Sequence, residues 1–296
     1  FLFFFKFAIK IFYRKLLQTK GIEMRFRIKF SLKGNRQTLP LNYRYPVSSW
    51  IYKVLASADK EFTNILHNHG YKLNDGKTFK LFTFSNLQFP RNTWKLIPKS
   101  DRISVWSRNA YLQVSFLLPE QYEKFVSGLF CDQKVRIADE ISGIDAEISQ
   151  IEAMKTVLPE TKTQIIRSLT PIVLGITEKD KKHEQYASPL LAEYKELFIN
   201  NLLQKHEVSG KTLEEKKDID FKVKELHRNK SGKPKTELQT IKAHTQQQTK
   251  IKGWYYDFEL TAPDELIKTG LSAGFGSMNS LGFGFCEIIN DSKYHK

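Results

Sequence analysis

Cysteine is scarce in this chain, whose 296 residues contain only Cys131 and Cys286, far apart in the sequence. A disulfide framework or a zinc site needs cysteine or histidine at close spacing, so the sequence favours neither. Acidic pairs at the spacing of a two-metal nuclease are not evident either. We therefore expect no metal and no cofactor, and we expect both thiols to be small apolar side chains in a reducing, cytoplasmic compartment.

Acidic residues are outnumbered, because 47 Lys and Arg stand against 32 Asp and Glu, a formal net charge of +15. Such an excess says little about the fold, but it predicts attraction to polyanions, with nucleic acid first and an anionic membrane surface second. Hydrophobic residues make up 41% of the chain and aromatic residues 13%, which is enough for a buried core. The composition thus argues against global disorder.

Long apolar runs are also missing, since none approaches the ~18 residues that cross a bilayer. Residues 1–23 interrupt their apolar residues with five Lys and Arg, and no signal-peptide cleavage site follows. We expect the functional chain to begin at Met24, with residues 1–23 as an upstream extension. An amphipathic helix on a membrane surface is the alternative, but we predict no membrane association.

Periodicity in residues 24–156 predicts a mixed domain. MRFRIKFSL alternates apolar with basic residues, which indicates a half-buried strand with a basic outer face. Two helices follow, the second capped by Asp59 and ended by Gly70. FKLFTFSNLQF and RISVWSRNAYLQVSFLL read as strands, and a helix begins after Leu118. The stretch KVRIADEISGIDAEISQIEAM is ambiguous and could hold an edge strand plus a connector.

Residues 157–296 repeat this order. SLTPIVLGITE predicts a strand around Pro171, and SPLLAEYKELFINNLLQKHE predicts an amphipathic helix with Leu190, Leu191 and Phe198 on its apolar side. Strands are predicted in IDFKVKELH, ELQTIKAHT, WYYDFELTA and GFCEIIN, and a helix in APDELIKTGLSAG. Each half reads β-α-β-β-α-β, so we predict an α+β protein of two tandem ferredoxin-like, RNA-recognition-like domains, residues 24–156 and 157–296.

Glycine is concentrated in GFGSMNSLGFGF, residues 274–285, which holds four of the chain's 15 glycines. This stretch lacks the lysine of a P-loop, and it lies between a helix and a following strand, the reverse of a dinucleotide fingerprint. A helix C-cap at Gly274 would explain one glycine. A loop lying against a phosphate backbone would explain more, because missing Cβ atoms let backbone N–H groups approach phosphate oxygens.

The pattern G-F-G-x-x-N-S-L-G-F-G before a final strand resembles the signature of the repeat-associated CRISPR proteins. MRFRIKFSL, the helix ending ILH with the following KLFTFS, and SLTPIVLGIT narrow the resemblance to the CRISPR-associated protein six family, over about residues 24–290. The resemblance implies two ferredoxin-like domains and an endoribonuclease that cuts precursor CRISPR RNA. It also implies that the loop binds repeat RNA through Gly274, Gly276, Ser277, Asn279, Ser280, Gly282 and Gly284.

RNA carries its own nucleophile, the 2′-hydroxyl, so cleavage needs proton transfers and charge stabilisation but no metal. The products would be a 2′,3′-cyclic phosphate and a 5′-hydroxyl. Histidine, with a reference pKa of about 6.5, suits the proton transfers, and lysine suits the charge on the phosphorane. By resemblance, His67 at a helix end is the general acid or base, and Tyr52 and Lys80 assist it.

Alternatives stay open at each of these positions. His69 competes with His67, and Tyr52 reads equally well as a core aromatic. The alternative to a catalytic role for Lys80 is that it is a solvated residue of a strand. Lys72 and Lys77 compete with it, because NHGYKLNDGKT is longer than the family's pattern. The remaining histidines are predicted to be mostly solvated.

Segment 205–252 is strongly basic, which indicates either a solvated face or, as its Lys-rich strands favour, a surface that contacts phosphates. The candidates are Lys222, Lys224, Arg228, Lys230, Lys233 and Lys235. The predicted partner is CRISPR repeat RNA, while homodimerisation and association with other CRISPR effector-complex subunits stay open. The alternative function is a non-catalytic RNA-binding subunit of such a complex.

Overall fold

The structure, a computed structural model, describes residues 24–154, 158–176, 185–213, 218–241 and 248–289. The upstream extension predicted for residues 1–23 lies outside the described residues, and so does the domain boundary predicted after residue 156. Both stay predictions. Within the described ranges, no helix is long and apolar enough to cross a membrane.

The first half of the chain is built on a five-stranded antiparallel sheet. In sheet order, its strands are β5 (Phe82–Phe84), β8 (Asn109–Phe116), β1 (Met24–Leu32), β10 (Gly143–Met154) and β9 (Lys134–Ala138). The helices are α1 (Arg44–Ala58), α2 (Lys60–Asn68) and α3 (Pro119–Cys131). The smaller strands are β2 (Gln37–Pro40), β7 (Arg102–Val105) and β6 (Trp94–Leu96), which form one sheet, and the hairpin β3 (Tyr71–Lys72) and β4 (Thr78–Phe79).

The second half is built on a four-stranded antiparallel sheet. Its order is β14 (Asp220–Leu226), β17 (Tyr256–Thr261), β11 (Thr163–Ser168) and β18 (Cys286–Ile288). The helices are α4 (Tyr194–Val208) and α5 (Asp264–Ala273), with a short 3-10 turn at Asn279–Leu281. Two hairpins are added, β12 (Gly175–Ile176) with β13 (Gln185–Tyr186), and β15 (Thr236–Ile241) with β16 (Thr249–Trp254).

Both main sheets have the strand order of a ferredoxin-like unit. In such a unit, the strands of β-α-β-β-α-β lie side by side as fourth, first, third and second. The strands β10, β1, β8 and β5 follow this order, and β18, β11, β17 and β14 follow it again. The predicted fold, α+β with two tandem ferredoxin-like units, is therefore confirmed.

The alternation in β1 decides which face of the first sheet is covered. Phe26, Ile28 and Phe30 are fully buried, and they pack against Trp50 of α1 and Phe125 of α3. Burying these aromatic and aliphatic side chains stabilises the domain by about 1.5–3 kcal/mol each. The two helices are thereby fixed on one face of the sheet, and α1 carries Tyr52 into the site described below.

The opposite, basic face of β1 was predicted to be an outer face, but only part of it is exposed. Arg27 is exposed, whereas Arg25 is only 5% exposed. The guanidinium of Arg25 donates hydrogen bonds of 3.0 Å to the carbonyl oxygens of Leu271 and Cys286. This end of the first sheet is thus covered by the second half of the chain, and Arg25 joins the two halves.

Three local expectations need correction, and one stretch that was ambiguous in the sequence now has an assigned structure. β11 ends at Ser168, before Pro171, because a proline lacks the N–H that a sheet ladder needs. Leu190 and Leu191 precede α4 and are exposed. Cys131 is exposed at the end of α3, whereas Cys286 is buried as predicted. The ambiguous stretch forms the hairpin of β9 and β10.

Candidate active site

Tyr52 and His67 meet where α1 and α2 converge. The two helices are separated by Asp59 alone, whose carboxylate accepts a 2.9 Å hydrogen bond from the amide of Phe62 and starts α2 as predicted. This short connection folds the last turn of α2 back against α1. The ring centroids of Tyr52 and His67 therefore lie 4.9 Å apart, with an interplanar angle of 83°. Two predicted catalytic side chains are in edge-to-face contact.

The two candidate histidines, His67 and His69, differ in their position relative to α2 and in their contacts. His67 is exposed in the last turn of α2, and its Nδ1 lies 3.0 Å from Oδ1 of Asn68. His69 follows the end of the helix, and its backbone amide donates a 2.9 Å hydrogen bond to the carbonyl of Ile65. Because His67 makes the ring contact with Tyr52, the geometry favours it over His69 as the partner of the tyrosine.

Tyr52 also joins the two halves of the chain. Its side chain is half-buried and packs edge-on to Phe82, and the side chain of Ser280 in the glycine loop lies near its hydroxyl. Burial raises the pKa of Tyr52 to about 12, although the side chain of Ser280 acts in the opposite direction. The phenol therefore stays protonated at neutral pH and can donate a hydrogen bond to a substrate oxygen.

Lys80 reaches the same helix end from the other side. Its Nζ donates hydrogen bonds of 2.6 Å to the carbonyl of Leu66 and 2.7 Å to the carbonyl of His67. A cation there complements the helix dipole and satisfies carbonyls that the last turn leaves open. Burial lowers the pKa of Lys80. Lys80 is thus neither in a strand nor fully solvated, and it contacts the backbone of His67, not its imidazole.

Gly70 makes this approach of Lys80 possible. A Cβ at Gly70, where φ is +64°, would lie 2.6 Å from the carbonyl oxygen of Phe79 and 3.1 Å from Nζ of Lys80. The competing lysines are exposed, and Lys77 lies 3.8 Å from a carboxylate oxygen of Asp75. Lys80 is therefore the candidate lysine that the fold brings to His67.

The glycine loop, residues 274–285, is packed against protein at each of its four glycines. All four have positive φ, between 69° and 88°, which side chains other than glycine rarely adopt. A Cβ at Gly284 would lie 1.8 Å from the carbonyl oxygen of Phe275, and one at Gly282 would lie 2.5 Å from the ring of Phe84. Gly274 and Gly276 are as tightly enclosed. The missing Cβ atoms thus make room for the protein's own atoms.

The polar residues of the loop have unequal exposure. Asn279 is 8% exposed, and its Nδ2 donates to the carbonyl oxygens of Phe275 at 3.0 Å and Phe283 at 2.9 Å, so its amide braces the loop. Ser277 and Ser280 are half-exposed. RNA binding by the predicted loop residues stays a prediction, and these two serines are its most accessible side chains.

Two buried basic side chains, which the sequence analysis did not predict as site residues, bind backbone carbonyls of the glycine loop. Nζ of Lys205, in α4, donates to the carbonyl oxygens of Gly274 and Gly276. Nη1 of Arg44, in α1, donates to the carbonyl of Gly282 at 2.8 Å, and Nε of Arg44 pairs with Glu237 at 3.0 Å. A signal for Lys205 existed, since it continues the buried helical stripe of Phe198 and Leu202.

The predicted phosphate-contacting cations lie on β14 and on the turn that follows it. All are exposed: Lys222, Lys224, Arg228, Lys230, Lys233 and Lys235. Nζ of Lys224 lies 3.0 Å from Glu259, and Nζ of Lys235 lies 4.1 Å from the ring centroid of Tyr255. Their exposure agrees with both a solvated face and an RNA-contacting surface.

The remaining histidines divide between buried, partly buried and undescribed positions. His206 is 1% exposed with its Nδ1 2.9 Å from Oγ1 of Thr269, so it is an exception to the prediction that most of these histidines are solvated. Nε2 of His227 lies 2.7 Å from the buried carboxylate of Asp257. The positions 183, 244 and 295 lie outside the described residues. Across the described ranges, no three His, Cys, Asp or Glu residues cluster as metal ligands would.

The chain combines two tandem ferredoxin-like units with a glycine loop and a tyrosine–histidine pair beside that loop. This combination is the one expected for the class predicted from the sequence, the CRISPR RNA-processing proteins. Two family models agree in detail. The model of the N-terminal part of CRISPR-associated protein Cas6 matches residues 38–146, and that of its C-terminal part matches residues 153–288. The chain belongs to the Cas6 family.

Individual relatives agree with this assignment. The chain is 29% identical over 269 residues to the CRISPR-associated endoribonuclease Cas6 1 of Methanocaldococcus jannaschii, covering 90% of this chain and 93% of that protein. It is 26% identical over 267 residues to the CRISPR-associated endoribonuclease Cas6 of Pyrococcus furiosus, covering 90% of each. The predicted enzyme class, an RNA endonuclease, is confirmed at the level of the family.

The fold is also shared with solved structures. A Cas6-related protein from Pyrococcus furiosus superposes with a TM-score of 0.72 at 24% identity, over 91% of this chain and 99% of that one. At this identity the likeness concerns the fold, and it covers both ferredoxin-like units.

Proposed function

We propose that this protein cleaves CRISPR repeat RNA within precursor transcripts and releases guide RNAs. The observation that carries the proposal is the contact of Tyr52 with His67, 4.9 Å between ring centroids, beside Ser280 of the glycine loop. A proton-transfer group and a hydrogen-bond donor thus stand next to a loop predicted to bind RNA. The names of the relatives in the family support the same reaction.

The cleavage proceeds by attack of a 2′-hydroxyl on the adjacent phosphorus. The P–O bond to the 5′-oxygen breaks, which leaves a 2′,3′-cyclic phosphate and a 5′-hydroxyl. His67 carries one of the two proton transfers, either from the attacking hydroxyl or to the leaving oxygen, and water carries the other. Tyr52, kept protonated by its raised pKa, donates a hydrogen bond to a non-bridging phosphate oxygen. These steps use only this chain's side chains, the RNA and water.

Lys80 supports this chemistry through the backbone of His67. Its ammonium, bound to the carbonyls of Leu66 and His67, fixes the end of α2 and so the position of the imidazole. The same positive charge lies close enough to the site to favour the negative charge that develops on the phosphorane. In this arrangement Lys80 acts as an electrostatic and positioning group.

RNA affinity in this proposal comes from two surfaces of the second half. The glycine loop offers the half-exposed side chains of Ser277 and Ser280, and the exposed cations of β14 and its following turn contact phosphates. Phosphate contacts give affinity and salt dependence, whereas sequence choice requires splayed bases or the shape of the repeat.

The proposal is tested with end-labelled repeat RNA from the CRISPR array of the same genome, in EDTA. The unaltered protein is expected to cut once per repeat and to leave the two ends described above. His67→Ala is expected to slow the cut by roughly 10²–10⁴-fold, with RNA affinity retained. His69→Ala is the matched control, since it removes the same side chain two residues away and should cut normally.

A single 2′-deoxy substitution at the cut site completes the test, because it removes only the nucleophile. Cleavage of that RNA, or a requirement for added Mg²⁺, would refute the proposed chemistry. Tight binding with no cut by the unaltered protein would favour the alternative function, a non-catalytic RNA-binding subunit. Homodimerisation and assembly with other effector subunits are then measured on the same sample by light scattering.

A further inference from the structure

Lys205 is a buried cation that faces backbone, not a carboxylate. It is 1% exposed, and its Nζ donates to two carbonyl oxygens of the glycine loop, those of Gly274 and Gly276. Among the described residues, no salt bridge to Lys205 occurs. Burying an ammonium without a carboxylate is costly, and two carbonyl oxygens offset only part of the lost hydration. A leucine or methionine here would avoid that cost.

The rest of helix α4 approaches the same loop. Asn201, one turn before Lys205, lies with its Nδ2 3.5 Å from Oγ of Ser277, and Phe198 stacks on Phe275 with ring centroids 5.7 Å apart. The backbone amide of Ser277 is held from the opposite side, by the carbonyl of Val173 at 2.6 Å. The first half of the loop is therefore fixed between α4 and the chain after β11.

We propose that Lys205 is a positioning residue for RNA binding: its amino group fixes the first half of the glycine loop in the shape that presents Ser277 to RNA. The proposal rests on the RNA-binding role given to the loop above. Lys205 itself is too deeply buried to touch RNA, so it acts through the loop backbone. Arg44 holds the second half of the loop at Gly282 and is a separate anchor.

Loss of this anchor should separate affinity from catalysis. Tyr52 and His67 lie on α1 and α2, neither of which contacts Lys205 through a hydrogen bond in the described ranges. Lys205→Met keeps most of the side-chain volume but removes both donors. We expect it to raise the half-saturating RNA concentration at least tenfold in single-turnover cleavage, while the rate at saturation stays within about threefold.

The loop's shape is measured independently of RNA. Hydrogen–deuterium exchange of the free protein should show faster exchange over residues 274–285 in Lys205→Met and unchanged exchange over β1. Lys195→Met is the matched control, because it removes a lysine from the same helix where the side chain is exposed and paired with Asp220. It should leave the exchange of the loop and the half-saturating concentration unchanged within about twofold.

Several outcomes would overturn the inference. Unchanged exchange in the loop would show that Lys205 does not hold it. Faster exchange with unaltered RNA affinity would show that its shape does not matter for RNA. An equal fall of affinity and saturating rate would indicate general damage. These results differ from failure of the proposed function, in which His67→Ala cleaves normally or the unaltered protein does not cut.

A second variant keeps the test decisive if Lys205→Met does not fold. Lys205→Gln removes the charge but retains two N–H donors that reach toward the same carbonyls. We expect it to melt cooperatively, with smaller rises in loop exchange and in half-saturating RNA concentration that occur together. A rise in one without the other would contradict the positioning role.

Discussion

The pair of Arg44 and Glu237 fastens helix α1 to the second half of the chain. The guanidinium contacts both carboxylate oxygens, at 3.0 and 3.3 Å, and also the carbonyl of Gly282. The side chain of Arg44 is 3% exposed and that of Glu237 is 27% exposed. Burial raises the pKa of Glu237, but the charge of Arg44 and the hydrogen bonds from Arg44, Tyr255 and Gln239 together outweigh this and leave the pKa below its usual value. The pair is therefore ionised at neutral pH.

Arg44→Met should lower the free energy of unfolding by about 3–5 kcal/mol, because it leaves a half-buried carboxylate and a loop carbonyl without their donor. Glu237→Gln keeps an acceptor and should cost about 1–3 kcal/mol. The double variant should lose less than the sum of both. A double-mutant cycle in urea should give a coupling of about 1.5–3 kcal/mol, the range for hydrogen bonds to charged groups.

A surface pair of like chemistry provides the control. Arg136 and Asp145 form a two-bond contact at 2.8 and 2.7 Å, with side chains 64% and 48% exposed. The same cycle there should give about 0–1 kcal/mol, since water screens the pair. If the coupling between Arg44 and Glu237 is no larger than this, burial does not strengthen the contact and the reasoning is refuted.

Two further predictions concern charge. In the double variant Lys230→Gln, Lys233→Gln, the plot of log affinity for repeat RNA against log salt concentration should become less steep, by about 0.7 for each phosphate that the protein no longer neutralises. The control is Lys33→Gln, which should leave this slope unchanged because Lys33 pairs with Glu147. An unchanged slope in the double variant would mean that this turn is only a solvated face. The second concerns Lys205, whose pKa burial lowers from 10.5 to about 7. Above pH 7 the unfolded chain then binds one more proton than the folded one, so the free energy of unfolding should rise by up to about 1.4 kcal/mol per pH unit between pH 7.5 and 8.5. Urea titrations should show this rise relative to Lys205→Met, and equal slopes in the two proteins would contradict it.

Local patterns predicted most of the fold. Period-two alternation in β1 and the apolar stripe of α4 depend on near neighbours in the sequence, and together with similar local patterns they gave the correct β-α-β-β-α-β order. The strand expected around Pro171 was misplaced because the prediction followed the apolar residues there, although proline lacks the N–H that a strand needs. The apolar residues Leu190 and Leu191 likewise led to a predicted helix that begins too early, since α4 begins only at Tyr194.

The site was less accessible to sequence reasoning. The spacing of Tyr52 and His67 placed both on adjoining helices, but two histidines fitted that spacing. The structure separates them, because α2 ends at Asn68 and the ring of His67 contacts Tyr52. The anchors of the glycine loop were missed because Lys205 and Arg44 bind backbone carbonyls, which no residue letter identifies. The glycines themselves were expected to make room for phosphates, whereas they make room for neighbouring protein atoms.

The single-residue connection at Asp59 has a consequence for how the enzyme comes into being. Tyr52 and His67 lie 15 positions apart on adjoining helices of the first unit, so we expect this contact to form when that unit folds. Ser280 lies more than 200 residues further along and arrives only after the second unit is synthesised. If the proposed roles hold, a growing chain on the ribosome has Tyr52 and His67 together before it has the loop proposed to bind RNA, and we expect it to be inactive toward RNA until that loop is in place.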